Sequence, residues 1–385
     1  MTDARAPQVT ALELARRLDR GERVQLLDVR APEHVAVGRV ELGSALQFRA
    51  APASQLNALP SLDPLGMDPD EPVLVICGHG NSSKGAAAFL RGRGIDAHSV
   101  TGGMAAWDAV YLPRRLAPTR AFEHIVQLDR VAKRALSYVL VSDGDALVVD
   151  PGRHIDRYAA LLKELRATPA AVVDTHMHAD YLSGARAAAR QWRVPYFLHP
   201  DDARSPYDGA EGRFTFEPLR AGDTIACGHA TLRAEHVPGH TLGSLTLIAD
   251  DTFALTGDFL FVQSVGRPDL GGRAGEWGHL LWRSLEDARR RWRGELLVLP
   301  AHYASEVERR ADRTVGARLD VVIATNRGAG VADEATFLRF LATNEASPPE
   351  SYRTMKLANL GLMKVSDAEM EVLEVGASQC AVPSA

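Results

Sequence analysis

Short apolar runs alternate with amphipathic helical stretches through the N-terminal part of the chain, then give way to apolar runs joined by tight turns. In the first part, strands are expected near 24–29, 72–76 and 97–100. Thr10-Ala11-Leu12-Glu13 has the form in which a Thr and a Glu three residues on cap a first helical turn, so a helix is expected to open there and run through Leu18. This alternation predicts an α/β domain with a mostly parallel sheet and helices on both faces. From His124 onward the pattern is different. Ser137-Tyr138-Val139-Leu140-Val141 and Ala146-Leu147-Val148-Val149 flank Asp143-Gly144, a hairpin signal, and Leu245-Thr246-Leu247-Ile248 and Thr252-Phe253-Ala254-Leu255 flank Asp250-Asp251 in the same way. Helices are expected near 155–166, 182–192 and 276–292. Between the two patterns, the prolines of Leu112-Pro113-Arg114-Arg115-Leu116-Ala117-Pro118 break the periodicity and mark the expected linker, with domains at 1–115 and 120–385.

Composition narrows the class. A chain of 385 residues is too long for one ordinary core. With 44 basic against 49 acidic residues and no basic stripe carrying aromatics, nucleic acid is excluded as an expected partner. No apolar run approaches the roughly 18 residues that span a bilayer. Met1-Thr2-Asp3-Ala4-Arg5 lacks the apolar core of a signal peptide, so a soluble, cytoplasmic protein without a membrane partner is expected. The three cysteines, Cys77, Cys227 and Cys380, form no Cys-x-x-Cys and no even framework, which implies a reducing compartment.

The candidate chemistry centres on His176-Met177-His178-Ala179-Asp180-Tyr181, directly after the apolar Ala171-Val172-Val173-Asp174-Thr175. His240 in Pro238-Gly239-His240-Thr241, Asp258 in Thr256-Gly257-Asp258 and His302 in Pro300-Ala301-His302 each close a further apolar segment. Imidazoles and carboxylates gathered from several strand ends suit a first-row divalent metal. Spacing leaves two sets open. His176, His178 and His240 would make a three-histidine zinc site, whereas His176, His240 and Asp258 would make the two-histidine, one-carboxylate set of non-haem iron(II) oxygenases.

This ordered set resembles the metallo-β-lactamase fold over roughly residues 122–303, which implies a C-terminal αββα sandwich with its metal at one edge between the sheets. The usual motif of that fold is His-x-His-x-Asp-His, and here Tyr181 takes the last place. A phenol with a pKa of about 10 replaces imidazole poorly, so a mononuclear site is expected. Gly257-Asp258-Phe259-Leu260-Phe261-Val262, followed by Gly266-Arg267-Pro268-Asp269, resembles the persulfide dioxygenase branch. That resemblance implies one Fe(2+) per chain on His176, His240 and Asp258, with His178, Asp180 and His302 around them, and O2-dependent oxidation of glutathione persulfide to sulfite. Zn(2+) is the alternative metal. Arg267 has two open roles, a grip on a substrate carboxylate or a local ion pair with Asp269. Tyr181 is expected to pack, with a hydrogen bond to a bound ligand as its alternative role.

In the N-terminal part, Val73-Leu74-Val75-Ile76 runs into Cys77-Gly78-His79-Gly80-Asn81-Ser82-Ser83 and then into a helical stretch from Lys84. A cysteine beneath the converging N–H groups of a helix start is in a setting that lowers thiol pKa. With Leu26-Leu27-Asp28-Val29-Arg30, Glu33 and Gly102-Gly103-Met104-Ala105-Ala106-Trp107, this resembles a rhodanese domain over about residues 8–113, which implies Cys77 as a persulfide-carrying nucleophile. Rhodanese loops commonly carry Arg where Ser82 stands, so His79, Lys84 and the backbone amides are left to meet an anionic donor, and thiosulfate turnover is in doubt. Asp28 and Arg30 are expected to stabilise the fold.

Together the two resemblances imply sulfane-sulfur transfer by Cys77 and persulfide oxidation at iron, with the direction of transfer and any homo-oligomer left open. The competing expectations are a zinc hydrolase of glutathione thioesters similar to glyoxalase II, and a sulfur-binding module without catalysis. After His302 the chain reads as helical and polar, continuing the metal domain as a lid or extension. There Arg353 and Lys356 are expected at the solvated surface, and Cys380 as a solvent-exposed or packed bystander, with a second sulfur acceptor as the alternative. His199 and His236 are expected to be structural, and Cys227 to lie near a strand end.

Overall fold

The structure, a computed structural model, describes residues 7–56, 58–344 and 347–382; Met1-Thr2-Asp3-Ala4-Arg5 lie outside the described residues. Two compact units are formed, one mainly from the residues up to Leu112, the other mainly from Pro113 to Glu374.

The first unit contains β1 (Gln8–Thr10), α1 (Ala11–Asp19), β2 (Val24–Asp28), α2 (Pro32–Val37), β3 (Leu46–Ala50), α3 (Ala53–Leu56), β4 (Val73–Ile76), α4 (Ser82–Arg91), β5 (Ala97–Thr101) and α5 (Gly103–Asp108). Its five strands pair in parallel in the order β1-β5-β4-β2-β3. Successive side chains of a strand face opposite ways. Accordingly Leu26 and Leu74 pack with Leu14, Leu18 and Trp107 on one face, while Leu27, Val73 and Val75 pack with Ala86, Ala87 and Leu90 on the other. The side chain of Thr10 caps α1 by accepting from the N–H of Glu13 at 3.1 Å. The short strands β1 and β3 were not expected, because Gln8-Val9-Thr10 and Leu46-Gln47-Phe48-Arg49-Ala50 lack a continuous apolar run.

The second unit opens with β6 (Tyr111–Leu116), β7 (His124–Arg130), β8 (Ala135–Ser142) and β9 (Asp145–Val149), followed by α6 (Ile155–Leu165), β10 (Thr168–Val173), α7 (Ala185–Trp192), β11 (Tyr196–Leu198) and β12 (Glu217–Pro218). These seven strands form one sheet in the order β12-β11-β10-β9-β8-β7-β6. The stretch expected as a linker is therefore mostly strand. It sits at the sheet edge, where Pro113 has no ladder N–H to supply and does least harm.

A second sheet of six strands follows: β13 (Thr224–Cys227), β14 (Ala230–His236), β15 (Leu245–Ala249), β16 (Phe253–Gly257), β17 (Leu297–Pro300) and β18 (Ala317–Arg318), in sequential order. The β8–β9 and β15–β16 hairpins turn on Asp143-Gly144 and Asp250-Asp251, all with positive φ, the geometry whose twist matches paired strands. Tyr138, Leu140, Leu147, Val149 and Val173 of one sheet meet Leu232, Leu247, Phe253 and Leu255 of the other in the central core. On the outer faces, α7 covers the first sheet through Ala185 and Ala188, and α8 (Ala274–Arg291) covers the second through Leu281, Trp282 and Leu285. The result is the expected αββα sandwich. Beyond it lie α9 (Leu319–Thr325), α10 (Glu334–Thr343), α11 (Glu350–Asn359) and α12 (Asp367–Leu373). Among the described residues no helix is long and apolar enough to cross a membrane.

Candidate metal centre and cysteine loop

In the second unit the predicted donors all leave the C-terminal ends of strands. His176 follows β10, His240 the end of β14, Asp258 adjoins β16 and His302 follows β17. Because β10 belongs to one sheet and the other three strands to its partner, the donors meet at one edge between the sheets. Nε2 of His176 and Nε2 of His240 lie 3.6 and 3.4 Å from Oδ2 of Asp258, and the donor atoms of these three buried residues all fall within 4.8 Å of one another. Donors about 2.0–2.2 Å from a shared ion stand roughly 3.0–3.5 Å apart, so the spacing is that of ligands around one cation.

The other atoms of the same groups are already engaged. Nδ1 of His176 donates to Oγ1 of Thr175 (3.0 Å), which donates to Oδ2 of Asp150 (2.8 Å). Nδ1 of His240 donates to the carbonyl of Arg267 at 3.0 Å. Both imidazoles are thereby fixed in the tautomer that turns an Nε2 lone pair toward Asp258. Oδ1 of Asp258 accepts from Nδ1 of His302 at 2.7 Å, and Nε2 of His302 stands 2.9 Å from Oδ2 of Asp180. What is left over, Nε2 of His176 and Oδ2 of Asp258, is buried and has no hydrogen-bond partner. Two such acceptors facing each other are costly unless a cation lies between them. The residues fit a divalent metal.

Electrostatics agree with this division. Burial pushes His240 down to about 3, which keeps it a neutral donor. Burial disfavours the charge on Asp258, but His302 and His176 outweigh it and hold the carboxyl well below its usual range. For His302, burial is likewise outweighed by Asp258 and Asp180, which raise it to about 10.

His178 is placed apart from this set. Its Nε2 lies 3.2 Å from Oδ1 of Asp150 and 3.0 Å from the hydroxyl of Tyr181, and it groups with Asp150 and Asp174. Tyr181 packs, as expected. It stacks on His178 and also donates to the carbonyl of Asp150 at 3.1 Å. Of the two roles open to Arg267, the geometry shows the ion pair: Nε and Nη2 bind Asp269 at 2.8 and 2.5 Å, and Nη1 reaches the carbonyl of Gln379 at 3.4 Å.

One expectation for the tail is corrected. Lys356 is not a surface residue but 2% exposed, because α11 turns it inward; burial lowers its pKa, opposed by Asp202, Cys380, Asp180 and Asp258. Cys380 is fully buried, and burial with the nearby carboxylates of Asp180 and Asp258 pushes its thiol well up. Arg353 is exposed, with its guanidinium over the ring of Tyr207 at 4.8 Å. His199 and His236 stack ring on ring at 4.3 Å, and with Asp201 offer a further close group of donors.

Sequence reading missed the residues that hold the loops. Asp202 accepts from the N–H groups of Met177 and Gly243 and from the hydroxyl of Thr241, each at 2.7 Å, which ties the His176 and His240 turns together. Asn359 donates to the carbonyls of His178 (3.0 Å) and Tyr181 (2.8 Å) and accepts from Ser183 at 3.0 Å. An isolated Asp or Asn carries no local signal of such long-range service.

In the first unit, Cys77 is buried between β4 and α4. Its sulfur accepts from the N–H of Gly80 at 3.1 Å and lies 3.3 Å from Oγ of Ser83, which is 2.9 Å from Oγ of Ser99. Burial raises the thiol, but Ser83 and the N–H groups of Gly80 and His79 outweigh it, so its pKa falls below the ordinary value. The opposite wall is the start of α5, where the N–H groups of Met104 and Ala105 donate to the carbonyls of Cys77 (2.8 Å) and Gly78 (3.0 Å). Gly103, at φ 59°, leaves no room for a side chain against those carbonyls. Asp28 and Arg30 form a buried pair at 2.7 Å, and Arg30 also donates to the carbonyl of Gly38 at 2.6 Å.

Residues 132–325 match the family model of the metallo-beta-lactamase superfamily, and residues 10–110 match the rhodanese-like domain. The chain belongs to the metallo-β-lactamase superfamily and carries an N-terminal rhodanese-like domain. It is 35% identical over 178 residues to an uncharacterised protein of Mycobacterium leprae, covering 41% of this chain and 80% of that one. It is 31% identical over 162 residues to the mitochondrial persulfide dioxygenase ETHE1 of Bos taurus, covering 41% and 59%. It is 35% identical over 144 residues to a hydroxyacylglutathione hydrolase of Anaeromyxobacter dehalogenans, covering 37% and 52%. Among solved structures, ETHE1 from Myxococcus xanthus superposes with a TM-score of 0.53 at 21% identity, covering 61% of this chain and 97% of that one.

Proposed function

We propose that the second unit is a persulfide dioxygenase, oxidising a thiol persulfide such as glutathione persulfide with O2 to give sulfite, and that Cys77 of the first unit carries sulfane sulfur. The observation that carries this reading is the donor set itself: two imidazole nitrogens and one carboxylate oxygen turned to one point, with Tyr181 where a second metal would need imidazole. Such a triad is the one used by mononuclear iron(II) oxygenases. Ferrous iron held by His176, His240 and Asp258 would supply the activation of O2 beside a sulfur ligand.

The chain's own residues account for the rest. His302 holds a proton between the carboxylates of Asp258 and Asp180, and would keep a positive charge beside the bound substrate. Lys356 is buried on the inward face of α11, where Asp202, Asp180 and Asp258 oppose the loss of charge that burial favours. Ala179, Leu270, Tyr352 and Met355 pack as an apolar cluster beside the centre and exclude bulk water.

The second reading, a zinc thioester hydrolase, has the similarity to hydroxyacylglutathione hydrolase in its favour. Metal analysis of anaerobically purified protein, paired with O2 uptake on glutathione persulfide, separates the two. Iron near one per chain with persulfide-dependent uptake is expected. Zinc with cleavage of a glutathione thioester, and no uptake, overturns the proposal.

A further inference from the structure

Beside α7, on the outer face of the first sheet, lies a cavity of about 660 Å³, and none of the residues lining it is a donor of the metal centre. One wall is α7, which presents Arg186 and Arg190, four residues apart, to the same side. Another is the segment leading into β12, where exposure alternates: Arg213 and Glu217 are exposed, Phe214 and Phe216 half-buried. Ser183 and Tyr196 complete the lining used here, and both donate to Oδ2 of Asp174, at 2.8 and 2.9 Å, which fixes that side of the cavity.

The charges of this cavity are not balanced. Like charges four residues apart on a helix repel. Among the described residues no carboxylate comes within ion-pair distance of Arg186, Arg190 or Arg213, whereas Arg204, in the connection between β11 and β12, has Glu211 at 2.9 Å. Arg186 is half-buried, donates from Nη2 to the carbonyl of Ala358 at 3.0 Å and holds its guanidinium 5.2 Å from the centre of the Phe214 ring. Burial lowers its pKa and the like charge of Arg190 adds to this, against Tyr196 and Asp174. A cation placed in this way is favoured by a bound anion.

The remaining lining says what the anion carries. Phe214 and Phe216, with ring centroids 5.7 Å apart, and Tyr196, 6.0 Å from Phe214, supply aromatic surface for a flat ring. Glu217, the carboxylate of the lining, can accept from a hydroxyl or amino group. Guanidinium forks match the oxygens of phosphate. The volume falls in the range of small-molecule sites, about 300–1,000 Å³. We propose that this cavity is a second ligand site and that it takes a nucleoside phosphate, with the phosphate on Arg186, Arg190 and Arg213, the base against Phe214 and Phe216, and a hydroxyl or amino group on Glu217. A bare inorganic anion would leave the aromatic surface idle, and an apolar ligand would leave the cations unpaired. The inference does not depend on the persulfide dioxygenase reading, because the two sites share no residue.

The test uses the full chain with its metal and follows the binding of ADP, without added magnesium, by titration calorimetry. Saturable binding of one ADP per chain is expected, with adenosine and inorganic phosphate each at least about 10-fold weaker. Arg190→Gln and Arg213→Gln alter exposed side chains, so the fold should be kept, and each should weaken ADP by about 10-fold. Phe214→Leu should weaken ADP and leave inorganic phosphate unchanged. Absence of saturable ADP binding, or an affinity unchanged in both arginine variants, overturns the proposal. So does ADP binding that survives in those variants and disappears when the metal is removed, which would put the ligand on the metal. Equal affinity for ADP and inorganic phosphate would overturn the assignment to a nucleoside phosphate, since the aromatic wall would then contribute nothing.

Discussion

The Cys77 loop and the metal centre are built by opposite means. Around Cys77 nearly everything comes from one short stretch: Gly80 and Ser83 lie within six residues of the thiol, and the backbone of the Gly103 turn seals the other side. The metal centre draws His176, His240, Asp258 and His302 from four strand ends, oriented by Thr175 and Asp150. A loop that stabilises an anion with its own N–H groups needs only local conformation. A cluster that leaves buried acceptors unpaired needs the whole sandwich to be formed and a cation to complete it.

That contrast is broken most severely by Asp258→Ala. It removes one donor and leaves His302 without its shortest partner, so two imidazoles remain. Metal content after desalting is expected to fall from near one per chain to near none. Alkylation of Cys77 by iodoacetamide should keep its rate in the same variant. A fall in both would show that the two sites are not built independently.

The same contrast explains what could be read from the sequence. The Cys77 loop was legible because strand, loop and helix follow one another, and so were the metal donors, because each closes an apolar run. The unexpected strands and Pro113 at a sheet edge were not, since short edge strands need no apolar run. Lys356 reads as solvated, and Cys380 as exposed or packed without distinction, because nothing local separates a buried lysine on an amphipathic helix, or a buried cysteine in a tail, from an exposed one. Their burial is decided by pairing with residues 265–267 and by the inward face of α11. Asp202 and Asn359 were silent for the same reason.

A subtler change tests whether orientation matters as much as the donors. Thr175→Val keeps the shape of the side chain but removes the oxygen that holds Nδ1 of His176 and relays it to Asp150. Loss of such an outer partner typically weakens metal binding by about 10–100-fold. Competition with a chelator of known affinity measures it. Unchanged affinity would mean that the buried ring of His176 is held by packing alone.

The smallest effect is expected in the loop, where several donors share the work. Ser83→Ala removes one hydrogen bond to Cys77 and leaves the N–H groups of Gly80 and His79 in place. A net hydrogen bond is worth about 0.5–1.5 kcal/mol, so alkylation at neutral pH should slow by roughly 2–10-fold. The sign follows from the thiolate being the reactive form: losing a donor raises the pKa, reduces the thiolate fraction at neutral pH and moves the rate profile to higher pH. At alkaline pH, where both proteins are fully ionised, the two rates should converge. A constant ratio across the profile would mean that Ser83 shapes access to the sulfur and not its charge, and the local electrostatic account of the loop would fail.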